Sequence, residues 1–354
     1  MKKFLKTILA NIMYFIGHQK IPDIFNNINI ETTSRCNLKC KFCAYDKRDL
    51  LNVPYTTMSL TEFQDIVLQS LDLGYKNIGL TPTTGDVFMD KEIINKLIFL
   101  DNQKQLDGYY FYTNFIPLDE IKISQLYSLK KLTNLGISIY GSDLESFLKL
   151  SGGTAKAYEK LIKNLTFLKK IIVNSKPNFK IEIALRTVKD FKIESSTDQI
   201  SLIIKKLIKE DFIEFSQNSE FNNWGGLIED KDVKNLGIRL KSKKINKIGS
   251  CSLIYSRLIV GANGKVNACA CRDANFTLAI GDLKQKKLRE IINYKNPTYK
   301  NLILRQEKND FPDVCKACDF YRSIYQNNNF VWSFKDKRIK HFSLKNIIKI
   351  LDAR

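Results

Sequence analysis

The sequence predicts an α/β fold: an open, parallel (β/α)6 barrel followed by a small cysteine-rich domain. Three observations predict it. Between residues 27 and 216, short β-branched and aromatic runs alternate six times with longer stretches of helical periodicity. Such alternation implies parallel strands with helices packed outside them. The pattern stops after Glu220, in a Gly-rich turn and a charged stretch. The eight cysteines fall into two groups, one just after the first strand and one beyond residue 250. A span of roughly 190 residues is short for the eight units of a closed barrel, so six units fit better.

The elements follow in order. Residues 1–25 form a basic amphipathic extension, with Phe4, Leu5, Ile8, Leu9, Ile12, Phe15 and Ile16 at helical spacing beside Lys2, Lys3 and Lys6. It either caps the bottom of the core or lies on an anionic membrane surface; no small-residue cleavage site follows it. The barrel is assigned to residues 26–225. Strands are expected at 28–32, 77–81, 109–113, 135–140, 180–186 and 212–216. Helices are expected at 59–73, 91–103, 120–129, 155–172 and 197–209, the first opened by a Ser59–Glu62 capping box. Residues 226–250 read as a linker. A second domain spans 251–325 and contains a hairpin turning at Asn263-Gly264. Residues 326–354 form a basic tail of the same amphipathic character as the N-terminus.

Composition narrows the function. No run of 18 apolar residues exists, so no helix of the sequence spans a membrane. The formal charge of +20 would attract anions. Yet the excess is carried by 46 Lys against 11 Arg, and planar phosphate recognition favours Arg. Aromatic residues are not interleaved with basic clusters as single-strand binding requires. The charge reads as solvated surface, with an anionic substrate as the second reading and nucleic acid disfavoured. A long Lys-rich chain without a signal peptide does not suit a disulfide framework, and a cytoplasmic location is expected.

The first cysteine group is Cys36-x3-Cys40-x2-Cys43. Three thiolates on one loop make a soft-metal site. They cannot complete a four-iron cluster, in which each iron needs its own ligand, so one iron is left for a group that is not protein. A zinc knuckle is the alternative. Zinc usually takes a fourth Cys or His, and the two histidines, His18 and His341, are not local.

The spacing, with an aromatic residue before the third cysteine, resembles the signature of the radical S-adenosylmethionine (SAM) enzymes. In that family the open iron chelates the amine and carboxylate of SAM. One electron cleaves SAM, and a 5′-deoxyadenosyl radical abstracts a hydrogen from substrate. The resemblance implies a 4Fe-4S cluster on Cys36, Cys40 and Cys43 and roles at successive strand ends, where ligands of parallel α/β folds sit. Phe42 would lie near the adenine. Gly85-Asp86 stands where the family usually has Gly-Glu against the SAM amine; the aspartate is one methylene shorter. Asn114 matches a Thr-Asn-Gly element in which Phe115 replaces the glycine. Ser138 would lie near the ribose, and Arg186 would pair with the SAM carboxylate.

The second group is Cys251, Cys269, Cys271 and Cys315-Lys-Ala-Cys318. Cys251-x12-Gly264-x4-Cys269, with Ile280-Gly281-Asp282-Leu283 downstream, resembles the SPASM/twitch auxiliary domain of many radical SAM enzymes. Five cysteines suit the short form, with one auxiliary 4Fe-4S cluster on Cys251, Cys269, Cys315 and Cys318 and Cys271 as the spare. A structural zinc ribbon is the alternative. Trp224, in a Gly-Gly turn past the sixth strand, either stacks on substrate or packs on the barrel.

The resulting expectation is a radical SAM oxidoreductase that oxidises or rearranges a hydroxyl carbon of a sugar-like or glycan-precursor substrate. Flavodoxin or ferredoxin would be the reductant. A peptide-modifying maturase is the enzymatic alternative, although only 35 residues precede Cys36. A metal-stapled nucleic-acid or membrane adaptor is the non-enzymatic one. The catalytic base is not visible in the sequence.

Overall fold

The computed structural model describes residues 20–21, 24–241, 245–325, 340–341 and 344–353. The amphipathic reading of residues 1–17 lies outside them. Six parallel strands follow one another in sequence and in space: β1 (Asn27–Ile30), β2 (Asn77–Gly79), β3 (Gly108–Thr113), β4 (Leu132–Tyr140), β5 (Lys180–Arg186) and β6 (Glu214–Asn218). Each pairs in parallel with the next. Among the described residues β6 does not pair with β1, so the barrel is partial, as expected.

The expected helices form as α1 (Leu60–Asp72), α2 (Ile93–Asp101), α3 (Glu120–Tyr127), α5 (Ala155–Asn174) and α6 (Gln199–Lys209). The Ser59–Glu62 capping box forms, and Asp119, Thr154 and Asp198 cap α3, α5 and α6. Each side chain satisfies a backbone N–H that the helix itself cannot. An additional helix, α4 (Leu144–Ser151), is capped by Asp143 and ended by Gly152 in the left-handed region. The core lies between the strands and these helices, with Ile28, Ile78, Phe111, Ile137 and Ile183 fully buried.

The cysteine-rich segment does not stand apart from the barrel. Its strands β7 (Ile259–Val260), β8 (Lys265–Asn267) and β9 (Ala279–Asp282) continue the sheet, in the order β9-β8-β7-β1-β2-β3-β4-β5-β6. The hairpin at Asn263-Gly264 forms, with Gly264 at positive φ. β7 pairs in parallel with β1, Ile259 beside Asn29 and Val260 beside Ile30. The tail contributes α7 (Leu344–Asp352), whose Ile347 and Leu351 are buried in the main core. Among the described residues no helix is long and apolar enough to cross a membrane.

Candidate active site

Beyond β1 the chain forms the loop that carries Cys36, Cys40 and Cys43. Two neighbours fix its backbone. The end of α4 accepts Lys39 N–H at Ser151 O (3.0 Å) and Lys41 N–H at Leu150 O (3.2 Å). The loop after β2 donates Asp86 N–H to Arg35 O (2.9 Å). At Gly85, φ is 141° and a Cβ would press on Arg35 O, so the residue type is required twice over.

A cavity of about 360 Å³ opens at the C-terminal ends of the strands. Cys36, Cys40, Cys43, Phe42, Gly85, Asp86, Asn114, Ser138, Arg186 and Trp224 all line it. Phe42 is buried between Tyr140 and Phe221, with ring centroids 5.3 and 4.4 Å away. The Asp86 carboxylate turns inward, accepting from Phe88 N (2.9 Å), Asn114 N (2.6 Å) and Thr113 Oγ1 (2.9 Å). Burial raises its pKa while these donors oppose the rise. Asp86 therefore knits the loops after β2 and β3 together. Asn114 and Asn37 exchange amide hydrogen bonds, the stronger at 2.8 Å. Phe115 occupies a φ of 67°, the conformation its missing glycine would take freely. Trp224 donates Nε1–H to Phe42 O (3.0 Å) and is itself at φ 50°.

Burial pushes the Cys36 thiol up to about 12 and the Cys43 thiol to about 11, and raises Cys40 well above its ordinary value. Three adjacent thiolates would repel one another here without a cation, and a bound metal deprotonates its thiols outright. Among the described residues no three Cys, His, Asp or Glu side chains converge on a single ion.

Cys251, Cys269, Cys271, Cys315 and Cys318 line a second pocket. N–H groups point at three of its sulfurs: Gln306 Nε2 at Cys315 (3.4 Å), Phe320 N at Cys318 (3.2 Å) and Arg322 N at Cys251 (3.4 Å). Such donors stabilise thiolate ligands. The loop Asn222–Gly226 ties this pocket to the first. Trp224 reaches Phe42, while Asn223 donates to Ala317 O and Asp319 Oδ2.

Sequence reasoning missed the interior of the barrel. Tyr110 and Tyr112 face inward from β3. Tyr112 lines the cavity and donates its hydroxyl to Glu182 Oε2 on β5 at 2.6 Å, crossing over β4. The crossing exists because β4 has Gly136 there, where a Cβ would overlap the Tyr112 ring. Tyr110 leans the other way, over Gly79 of β2, to Asn29 and Arg257. A glycine inside a strand with a neighbour's ring above it is the signal that marks such a crossing.

Comparison with known proteins agrees with this geometry. The radical SAM superfamily profile matches residues 30–208, and that of the SPASM iron-sulfur cluster-binding domain matches residues 251–319. A GTP 3′,8-cyclase of Clostridium perfringens (strain SM101 / Type A) is 25% identical over 260 residues, covering 70% of this chain and 75% of the relative. Among solved structures, BtrN in complex with AdoMet and 2-DOIA superposes with a TM-score of 0.52 at 15% identity, over 85% of this chain and 95% of that one. Native anSMEcpe with bound AdoMet gives 0.50 at 19% identity, over 83% and 86%. With half of its length matched by the family profile, a partial barrel of the same fold and the three-cysteine loop at the end of the first strand, the chain belongs to the radical SAM superfamily and carries a SPASM-type iron-sulfur domain.

Proposed function

We propose that this enzyme removes a hydrogen atom from a hydroxyl-bearing carbon of a sugar-like or glycan-precursor molecule and completes its oxidation to a carbonyl. The observation that carries the reading is Tyr112 in the wall of the cavity, its hydroxyl bonded to Glu182 Oε2 behind it. Oxidation of an alcohol must release the hydroxyl proton. Tyr112 Oη can accept it while passing its own proton to Glu182 Oε2, so no tyrosinate is formed. Burial raises the Tyr112 pKa, which favours this relay over an ionised phenol.

Bound at Cys36, Cys40 and Cys43 and at the five-cysteine pocket, clusters with SAM supply an electron for SAM cleavage, hydrogen-atom abstraction, and an acceptor for the electron that oxidation leaves behind. The chain's own residues do the rest. Arg186 presents its guanidinium to the SAM carboxylate, Ser138 offers a hydroxyl to the ribose, and Phe42 supports the adenine. Trp224 offers a face on which a sugar ring stacks. Cys251, Cys269, Cys315 and Cys318 hold the auxiliary cluster in this reading, with Cys271 as the spare. Flavodoxin or ferredoxin serves as reductant.

The test uses anaerobically reconstituted enzyme, dithionite, SAM and a panel of carbon-deuterated cyclitols and hexoses, free and phosphorylated. Deuterium should appear in 5′-deoxyadenosine and a carbonyl in the sugar. GTP and short peptides are the comparison arms. Deuterium transfer from either of those, and from no sugar, would overturn the substrate class.

A further inference from the structure

We propose that Arg48 is a positioning residue for SAM binding: buried beside the cavity, it locks the cysteine loop to the Thr84-Gly85-Asp86 turn against which the SAM amine would lie. This rests on the assignment of that turn to SAM, and it adds a residue that neither cysteine spacing nor a place at a strand end marks. Arg48 stands five residues past Cys43 and does not line the cavity, whereas its partners Thr84 and Tyr45 do.

Arg48 Nη1 donates to Thr84 Oγ1 at 2.9 Å, in a buried contact between two loops. Its guanidinium lies over the Tyr55 ring at 4.1 Å and the Tyr45 ring at 5.5 Å. Tyr55 donates its hydroxyl to Tyr45 O at 2.8 Å, and Tyr45 Oη accepts Cys36 N–H at 3.0 Å. One side chain thus bears on the turn after β2 and, through Tyr45, on the first cysteine. The residue before Thr84 is held separately. Glu31, buried just past β1, accepts Thr83 N–H at 3.0 Å. Consecutive residues of the turn are therefore gripped by two buried groups of opposite charge type.

Packing alone does not call for an arginine here. Burial works against its charge, with the attraction of Glu31 opposing that effect. Nε and Nη2 have no hydrogen-bond partner among the described residues. An apolar side chain of similar length would fill the space without burying a charge. It would not hold the Thr84 hydroxyl in place. Thr84 is itself buried and precedes Gly85, whose φ of 141° is open to few residues other than glycine. A backbone that permissive needs an outside anchor to keep one conformation. A turn fixed before SAM arrives loses less freedom on binding it.

Equilibrium dialysis of labelled SAM against the anaerobically reconstituted holoenzyme tests the assignment. The wild type should bind SAM. Arg48→Met and Thr84→Val should each weaken binding about tenfold or more, with iron content unchanged. Arg48→Lys, which keeps the charge and a donor, should recover part of the loss. Lys47→Met, at the exposed neighbouring position, should bind as the wild type does. Arg48→Met combined with Thr84→Val should be no weaker than the more affected single variant, because both remove the same bond. Should Arg48→Met lose iron, Thr84→Val, which leaves every charge in place, decides alone. Wild-type affinity in either single variant, or losses that add in the double one, overturns the proposal. Failure of the wild type itself to bind SAM would instead remove the assignment of the cavity to SAM, and this inference with it.

Discussion

Arg186 ends β5 with its side chain in the wall of the cavity, on the side of Cys40 and Cys43. A charge-assisted contact to the SAM carboxylate contributes about 1.5–3 kcal/mol. Arg186→Ala should then weaken SAM binding about ten- to a hundredfold, measured by equilibrium dialysis. Unchanged affinity would show that the carboxylate lies elsewhere. Glu31 makes a second prediction at this scale. Burial raises its carboxyl to about 7, against the pull of Arg48 and the N–H groups of Thr83 and Ala262. The folded pKa lies above the unfolded one. Stability from this group is therefore full below the ordinary carboxyl range and falls as pH rises to about 7, by up to about 3 kcal/mol. Glu31→Gln should raise the unfolding temperature at pH 8 more than at pH 5. An equal shift at both would mean that Glu31 does not titrate in that window. That Cys36, Cys40 and Cys43 would share one pocket was legible from spacing alone, because they lie on one short loop. Glu31 and Glu182 were not, since their roles depend on residues 52 and 70 positions away.

At the level of elements, the strands and long helices were legible within a few residues, because each buries a periodic apolar face. β5 was read to the residue, whereas β2 and β1 end earlier than their apolar runs suggest. α4 escaped notice: eight residues between the turn at Gly141 and the Gly152-Gly153 pair give too short a period. Its consequence is large, since it holds the cysteine loop at Lys39 and Lys41. The crossing of Tyr112 over β4 is a property of two strands, testable as one. Gly136→Ala places a methyl group inside the Tyr112 ring, and overpacking of this kind costs about 1–3 kcal/mol. Tyr112→Ala in the same protein removes the obstruction. The double variant should recover most of the loss in urea denaturation, giving a coupling between the two sites. A cost for Gly136→Ala that is the same with and without Tyr112 would mean that the ring does not rest on Gly136.

The whole molecule differs from its sequence reading in connectivity. The sequence marks a break after Glu220, and the chain does leave the barrel there. It returns by the two-residue strand β7, which no propensity argument would place beside β1. Asn29 N–H and Asn29 Nδ2 both donate to Leu258 O at 3.0 Å, and Glu31 N–H donates to Val260 O at 2.8 Å. Cys251 and Cys315 belong to the same buried core cluster as Ile28, Ile30 and Phe111. Contacts that cross a boundary this densely make the two parts one cooperative unit. A metal bound to the folded protein and not to the unfolded chain stabilises the whole of such a unit. Cys251→Ala should remove auxiliary iron and lower the unfolding temperature of the entire chain, with one calorimetric transition in both proteins. The iron at Cys36, Cys40 and Cys43 should remain, and with it reductive cleavage of SAM. Two transitions, with the barrel's midpoint unmoved by the substitution, would show that the continuous sheet does not couple the iron-sulfur domain to the barrel.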